Sequence, residues 1–109
     1  FISNADADQI FRVFLNLSRN ALQAMKEEGE LTLQARLDQN NAVIDVMDTG
    51  PGIADQLQKK LFQPFQASGN GGTGLGLAIS KEIIEAHGGT LTLIRSNAEG
   101  THFQIILPR

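Results

Sequence analysis

Residues 66–73 read Gln-Ala-Ser-Gly-Asn-Gly-Gly-Thr, a stretch without one large apolar side chain. Such a segment cannot pack a core, so the fold must be assembled from the residues on either side of it. A second break, Asp48-Thr49-Gly50-Pro51-Gly52, divides the first part again. Between the breaks the patterning is strong. From Asp6 to Glu27, the residues Ile10, Val13, Phe14, Leu17, Ala21 and Ala24 fall on one face at about 100° per residue, which predicts an amphipathic helix. Asp6 or Asp8 is the expected cap at its start, and Gly29 the stop. Leu31, Leu33, Ala35 and Leu37 alternate with polar residues, as in a strand with one wet face. Gln39-Asn40-Asn41 turns the chain, and Val43 to Asp48 completes a hairpin. Ala54 to Leu61 reads as a short helix. Leu75 to Ala86 reads as a second amphipathic helix on Leu75, Ile79, Ile83 and Ala86, ended by Gly88-Gly89. Thr90 to Arg95 and Thr101 to Leu107 are two further strands. This order predicts a two-layer α/β sandwich, with helices on one face of a mixed, mostly antiparallel sheet.

Composition narrows the functional classes. With 109 residues there is room for one domain, residues 1–109, and the 41% apolar content is that of a globular chain. A net charge of −3 with interspersed signs argues against a nucleic-acid backbone or an anionic membrane as the main partner. The absence of cysteine removes disulfides, thiolate metal sites and thiol nucleophiles, and fits the cytoplasm. No apolar run approaches the roughly 18 residues of a membrane span. The chain opens at Phe1-Ile2-Ser3 without an initiator Met, and reads as a fragment of something longer.

Several short motifs carry polar chemistry. Asn16 and Asn20 sit at i and i+4 on the long helix, joined by Gln23, and this amide stripe lies roughly 110° from the centre of the apolar face. Amide oxygens at a pocket edge can ligate Mg²⁺, a hard cation that prefers oxygen; the alternative is a pair of solvated amides. Asp48 shares strand parity with Ile44 and Val46, so its carboxylate points to the buried side, where it needs a donor such as a purine amine. The alternative there is a plain turn with Asp as turn former. Gly50 and Gly52 would let the backbone approach a planar ring. Gly72-Thr73-Gly74-Leu75-Gly76 runs from the loop into a helix, whose N-terminal N–H groups suit a phosphate. Leu61-Phe62-Gln63-Pro64-Phe65 supplies either a core plug or the anchor of a mobile lid. His87 and His102 read as structural, and no nucleophile triad or histidine metal cluster is visible.

The order and spacing of these motifs resemble the GHKL ATPase superfamily. Asn16-Leu17-Ser18-Arg19-Asn20-Ala21 is similar to its N box, Asp48-x-Gly-x-Gly to its first glycine box, and Gly72-Thr73-Gly74-Leu75-Gly76-Leu77 to its second. Phe62-Gln63-Pro64-Phe65 is similar to the F box of sensor histidine kinases. Glu85-Ala86-His87-Gly88-Gly89 and the stretch Gly100-Thr101-His102-Phe103 to Leu107-Pro108 are similar to the closing segments. The resemblance covers nearly the whole chain.

It implies a Bergerat-type sandwich with an ATP site between the helices and the sheet. Asp48 would receive the adenine amine, Gly50 and Gly52 would border the ring, and Thr101 would complete that end through a water. Asn20 would bind Mg²⁺ with Asn16 assisting. The backbone of Gly72, Thr73, Gly74, Leu75 and Gly76 would hold phosphates under a lid at residues 66–73. In the hydrolysing relatives a Glu that activates water stands at the position of Asn16, which cannot take a proton. The resemblance therefore implies protein-histidine kinase activity: transfer of the γ-phosphoryl group to a histidine on a separate dimerisation domain, with a response regulator downstream. The fragment alone is not expected to phosphorylate itself, because neither His87 nor His102 lies in an acceptor helix. The cytoplasm is the expected location, with no membrane contact by this domain. The sequence departs from the family at Gln23, where many members have Lys, at Ala24, often aromatic, and in a lid without Lys or Arg. Phosphate charge then falls to Mg²⁺, helix N–H groups and Arg19 or Lys26. Two rival readings are a nucleotide-responsive pseudokinase and a superfamily kinase acting on Ser; the F box opposes the second.

Overall fold

The computed structural model describes residues 4–25, 28–58, 62 and 76–108. Helix α1 (Asn4–Met25) is followed by strands β1 (Leu31–Leu37) and β2 (Asn41–Asp48), the single turn α2 (Asp55–Gln58), helix α3 (Gly76–Ala86), and strands β3 (Thr90–Asn97) and β4 (Gly100–Pro108). The four strands form one sheet in the order β1-β2-β4-β3, and all three pairings are antiparallel. The expected two-layer sandwich is present. The core lies between the helices and one sheet face: Ile10, Val13 and Leu17 of α1 and Leu77 and Ile84 of α3 close on Val46, Leu91, Phe103, Ile105 and Leu107.

Of the stripe that periodicity marks, helix α1 buries Ile10, Val13, Leu17 and Ala21 and half-buries Phe14, while the side chain of Ala24 lies outside the described residues; Met25, not marked by that pattern, completes the face. It runs from Asn4, so Asp6 and Asp8, the expected caps, lie inside its opening turns rather than ahead of them. Helix α3 is rotated from expectation. Its buried face is Leu77, Ser80 and Ile84, while Ile79 is exposed at 41% and Ala86 is exposed. A polar residue occupies the centre of that face, so a count of apolar positions misses its direction. The helix closes on a Schellman pattern, with Gly88 N–H donating to Glu85 O and Gly89 N–H to Ile84 O.

Strand β1 departs from expectation in its surroundings. Leu33 and Ala35 pair with Val46 and Ile44, so they share the helix-facing side. Yet Leu33 is 52% and Leu37 68% exposed, and only Leu31 packs against the core. The helices cover β2, β4 and β3 but leave most of β1 open.

Candidate functional site

The site residues predicted from sequence fall on both layers. On the helical layer, Asn16 and Asn20 are both half-buried on one flank of α1, and Gln23 is exposed. Asn16 Nδ2 donates to Ser80 Oγ of α3 at 3.4 Å, across the helix–helix seam, and Ser80 has no solvent exposure. That bond turns the Asn16 amide so that its oxygen faces away from Ser80. The carboxamide is therefore oriented, and it has no carboxylate chemistry to offer a water.

On the sheet layer, Asp48 ends β2 and Thr101 pairs directly across from it on β4. Ile44 and Val46 pack in or against the core, so Asp48, of the same parity, points to the helix side as expected. It is half-buried, and Thr101 is 6% exposed. Asp48 Oδ1 accepts the Gly50 N–H at 2.8 Å in a tight Asx turn. A carboxylate has lone pairs left beyond that one bond. Thr101 Oγ1 lies 2.9 Å from Ser96 Oγ of β3, and Ser96 Oγ accepts the Ile53 N–H at 2.7 Å.

The structure gives Gly52 a reason beyond the one read from sequence. Its φ is +83°, and a Cβ built there would collide with the backbone of Asn97. The glycine thus lets the turn press onto β3. Gly50 is buried beside it. Gly76 begins α3, while Gly72, Thr73, Gly74, Leu75 and the lid at residues 66–73 lie outside the described residues. Of the aromatic pair, Phe62 is half-buried and meets Phe103 edge-on at 6.2 Å, with Lys81 Nζ 4.8 Å above its ring. It packs against the core, as the plug reading holds; Phe65 lies outside the described residues. Beside it opens a cleft of about 700 Å³ whose lining among the described residues is Asp55, Gln58, Phe62, Lys81, Leu91, Thr92 and Leu93, none of them a predicted site residue.

Among the described residues, no three or more His, Cys, Asp or Glu side chains gather to hold a metal. A divalent cation here would rest on amide oxygens, waters and ligand phosphates, a donor set that fits Mg²⁺ and not zinc or copper.

Sequence reading missed one buried carboxylate. Asp45 is 4% exposed and lies on the sheet face away from the helices. Its Oδ2 accepts Arg36 Nη1 at 2.7 Å, while Oδ1 meets His102 Nε2 at 2.7 Å and Gln104 Nε2 at 3.1 Å. The His102 bond, with help from Gln104 and the charge of Arg36, holds the Asp45 carboxyl below its ordinary 3.8 against the opposing effect of burial. A depressed folded value means that this group stabilises the fold above pH 3.8 and ceases to as pH falls below it. The urea midpoint of the wild type should drop across that acid window, and the Asp45→Asn variant should start lower and fall less. Equal acid slopes in the two proteins would contradict it.

A family model for histidine kinase-, DNA gyrase B-, and HSP90-like ATPases matches residues 5–109. The chain belongs to that family. Within it the similarity runs to sensor histidine kinases, which makes this an ATP-binding domain of the GHKL superfamily in its sensor-kinase form. It is 42% identical over 114 residues to the sensory histidine kinase/phosphatase NtrB of Escherichia coli O157:H7, covering 94% of this chain and 32% of that protein. It is 38% identical over 112 residues to histidine kinase P4 of Formosa agariphila, covering 94% of this chain and 8% of that protein. The chain thus spans at most about a third of the length of these two relatives. Its fold superposes on the nucleotide-free catalytic domain of histidine kinase ThkA with a TM-score of 0.81 and 33% identity, covering 93% of this chain and 66% of that one. Full-length ShkA, solved in complex with AMPPNP, gives a TM-score of 0.79 at 30% identity, covering 92% of this chain and 21% of that one.

Proposed function

We propose that this domain binds Mg-ATP and serves as the catalytic part of a two-component protein-histidine kinase, handing the γ-phosphoryl group to a histidine on a separate dimerisation domain. The observation that carries the reading is the pair at the end of the sheet: a half-buried Asp48 carboxylate directly across from the buried Thr101, facing the helices. An acceptor and a hydroxyl side by side on the wall of an apolar layer suit the edge of a purine. Asp48 receives the exocyclic amine, Gly50 and Gly52 border the ring, and Thr101 contacts it directly or through a water. Full-length ShkA binds the ATP analogue AMPPNP, which supports the same ligand class here.

The amides of α1 hold the other end. Asn20 supplies a neutral oxygen to Mg²⁺ and Asn16 assists, its amide turned by Ser80. Bound Mg²⁺ neutralises phosphate charge, the main electrostatic need of phosphoryl transfer. The backbone of Gly72, Thr73, Gly74, Leu75 and Gly76 carries the phosphates at the start of α3. With Asn16 in place of a base, water is not activated. The γ-phosphorus–oxygen bond breaks as a bond to the acceptor histidine nitrogen forms, and ADP leaves. A response regulator takes the group next. Among the described residues no helix is long and apolar enough to cross a membrane, and the domain works in the cytoplasm, whether its parent is anchored or not.

Asn20→Ala tests the metal end. Its ATP affinity should fall about tenfold with Mg²⁺ and stay near wild type in EDTA, as expected when one metal ligand is lost. An equal loss under both conditions would remove Asn20 from the metal site.

A further inference from the structure

The end of the sheet carries a polar row that the adenine reading uses only in part. Asp48 of β2 pairs with Thr101 of β4, and Thr101 pairs with Ser96 of β3. Paired residues share a face, so all three side chains line up toward the helices. Strand parity alone would not put Ser96 there. Leu91 and Leu93 of β3 pair with Ile105 and Phe103 and face the core. Strict alternation from Leu93 would turn Arg95 inward and Ser96 outward. A bulge between Leu93 and Arg95 shifts the pairing by one residue, so Arg95 pairs with His102 on the outer face and Ser96 turns in. The irregularity aims a hydroxyl at the site.

The hydroxyl is then held from two sides. Ser96 Oγ accepts the Ile53 N–H at 2.7 Å and lies 2.9 Å from Thr101 Oγ1. Gln58 Nε2 ties the same two segments, donating to Ile53 O at 2.8 Å and to Ser96 O at 3.3 Å. Ser96 Oγ already accepts the Ile53 N–H, and either hydroxyl can be the donor of the bond between Ser96 and Thr101; donation from Ser96 to Thr101 Oγ1 leaves the Thr101 proton for the site. In that arrangement Thr101 faces the site as a donor beside Asp48, an acceptor.

We infer that Ser96 is a positioning residue for base recognition: it sets Thr101 as a donor and pins the Gly50–Ile53 turn, so that the site selects an adenine over a 6-oxopurine. Adenine offers an amine donor next to the N1 acceptor, the complement of Asp48 beside Thr101. Hypoxanthine offers a carbonyl next to an N1–H, which meets like with like at both points. A site built to hydrogen-bond one pattern rejects the other because its own buried groups are left unpaired. The inference rests on the assignment of Asp48 to the adenine amine.

The test is titration calorimetry of the domain with ATP and with ITP, on wild type, Ser96→Ala, Ser96→Thr and Asp48→Asn. Ser96→Ala should weaken ATP about tenfold and barely change ITP, so the ATP/ITP preference falls by a similar factor. Ser96→Thr keeps the hydroxyl and should restore most of the preference. An unchanged preference in Ser96→Ala, even with a lower melting temperature, would reduce Ser96 to a structural residue and overturn the inference. Should Ser96→Ala fail to fold, Ser96→Cys, which weakens the hydrogen bond at similar volume, decides by the same ratio. Asp48→Asn separates the two levels. If it keeps wild-type ATP affinity, the adenine assignment falls and the role of Ser96 with it. If it loses ATP while Ser96→Ala keeps the preference, only the role of Ser96 falls.

Discussion

Asp48→Asn is expected to lower ATP affinity at least about a hundredfold while the domain stays folded. The fold should survive because the one bond this side chain makes among the described residues needs only an acceptor: Oδ1 takes the Gly50 N–H at 2.8 Å, and an Asn carbonyl can do the same. The half-buried position also tolerates an isosteric amide. Binding should not survive, because the other end of the amide becomes a donor facing the purine amine, also a donor. Two donors with no acceptor between them leave desolvated groups unpaired, and the lost bond was charge-assisted. Calorimetric titration checks the affinity and circular dichroism the fold. A folded variant with wild-type affinity would remove Asp48 from the base site.

The second large effect is expected at Gly100. Its φ is +146°, and a Cβ built there would collide with the carbonyl oxygen of Asp48 and stand 3.2 Å from the Cα of Thr49. Both obstacles are backbone, so no side-chain rotation relieves them. Gly100→Ala should cost about 2–4 kcal/mol of stability through this clash and the strained backbone. The collision displaces the residue proposed to read the base, so ATP affinity should also fall in the fraction that remains folded. Urea unfolding followed by ATP titration well below the midpoint measures both. A variant as stable and as tight-binding as wild type would show that β4 does not fix the position of Asp48.

How much of this was legible in the chain follows from where each signal resides. The face of α1 was readable because its buried residues among those described, Ile10, Val13, Leu17, Ala21 and Met25, are all apolar, and Asn16 and Asn20 stood out against that stripe. The face of α3 was not, because Ser80 sits at its centre and Ile79 is exposed; a hydroxyl on a buried face breaks the pattern that periodicity relies on. The alternation of β1 was readable, but not that the helices stop short of it, leaving Leu33 and Leu37 exposed. Asp48 and Thr101 were both singled out, yet their facing depends on register between strands far apart in sequence. Ser96 was invisible for a sharper reason. Its inward direction comes from the bulge after Leu93, and the residue types there do not announce it. The Asp45 group on β2 likewise joins Arg36 of β1 with His102 and Gln104 of β4, a contact that no local spacing reveals.

The kinase account is tested most directly by following the γ-phosphate itself. The domain is incubated with γ-labelled Mg-ATP and a sensor-kinase dimerisation domain added in trans, and the label is traced to protein, inorganic phosphate or neither. The account predicts acid-labile label on the acceptor histidine, dependent on Mg²⁺, with no label on this chain and slow phosphate release when the acceptor is left out. Brisk phosphate release by the domain alone, with no label on the acceptor, would contradict it, because that outcome requires a general base where Asn16 stands.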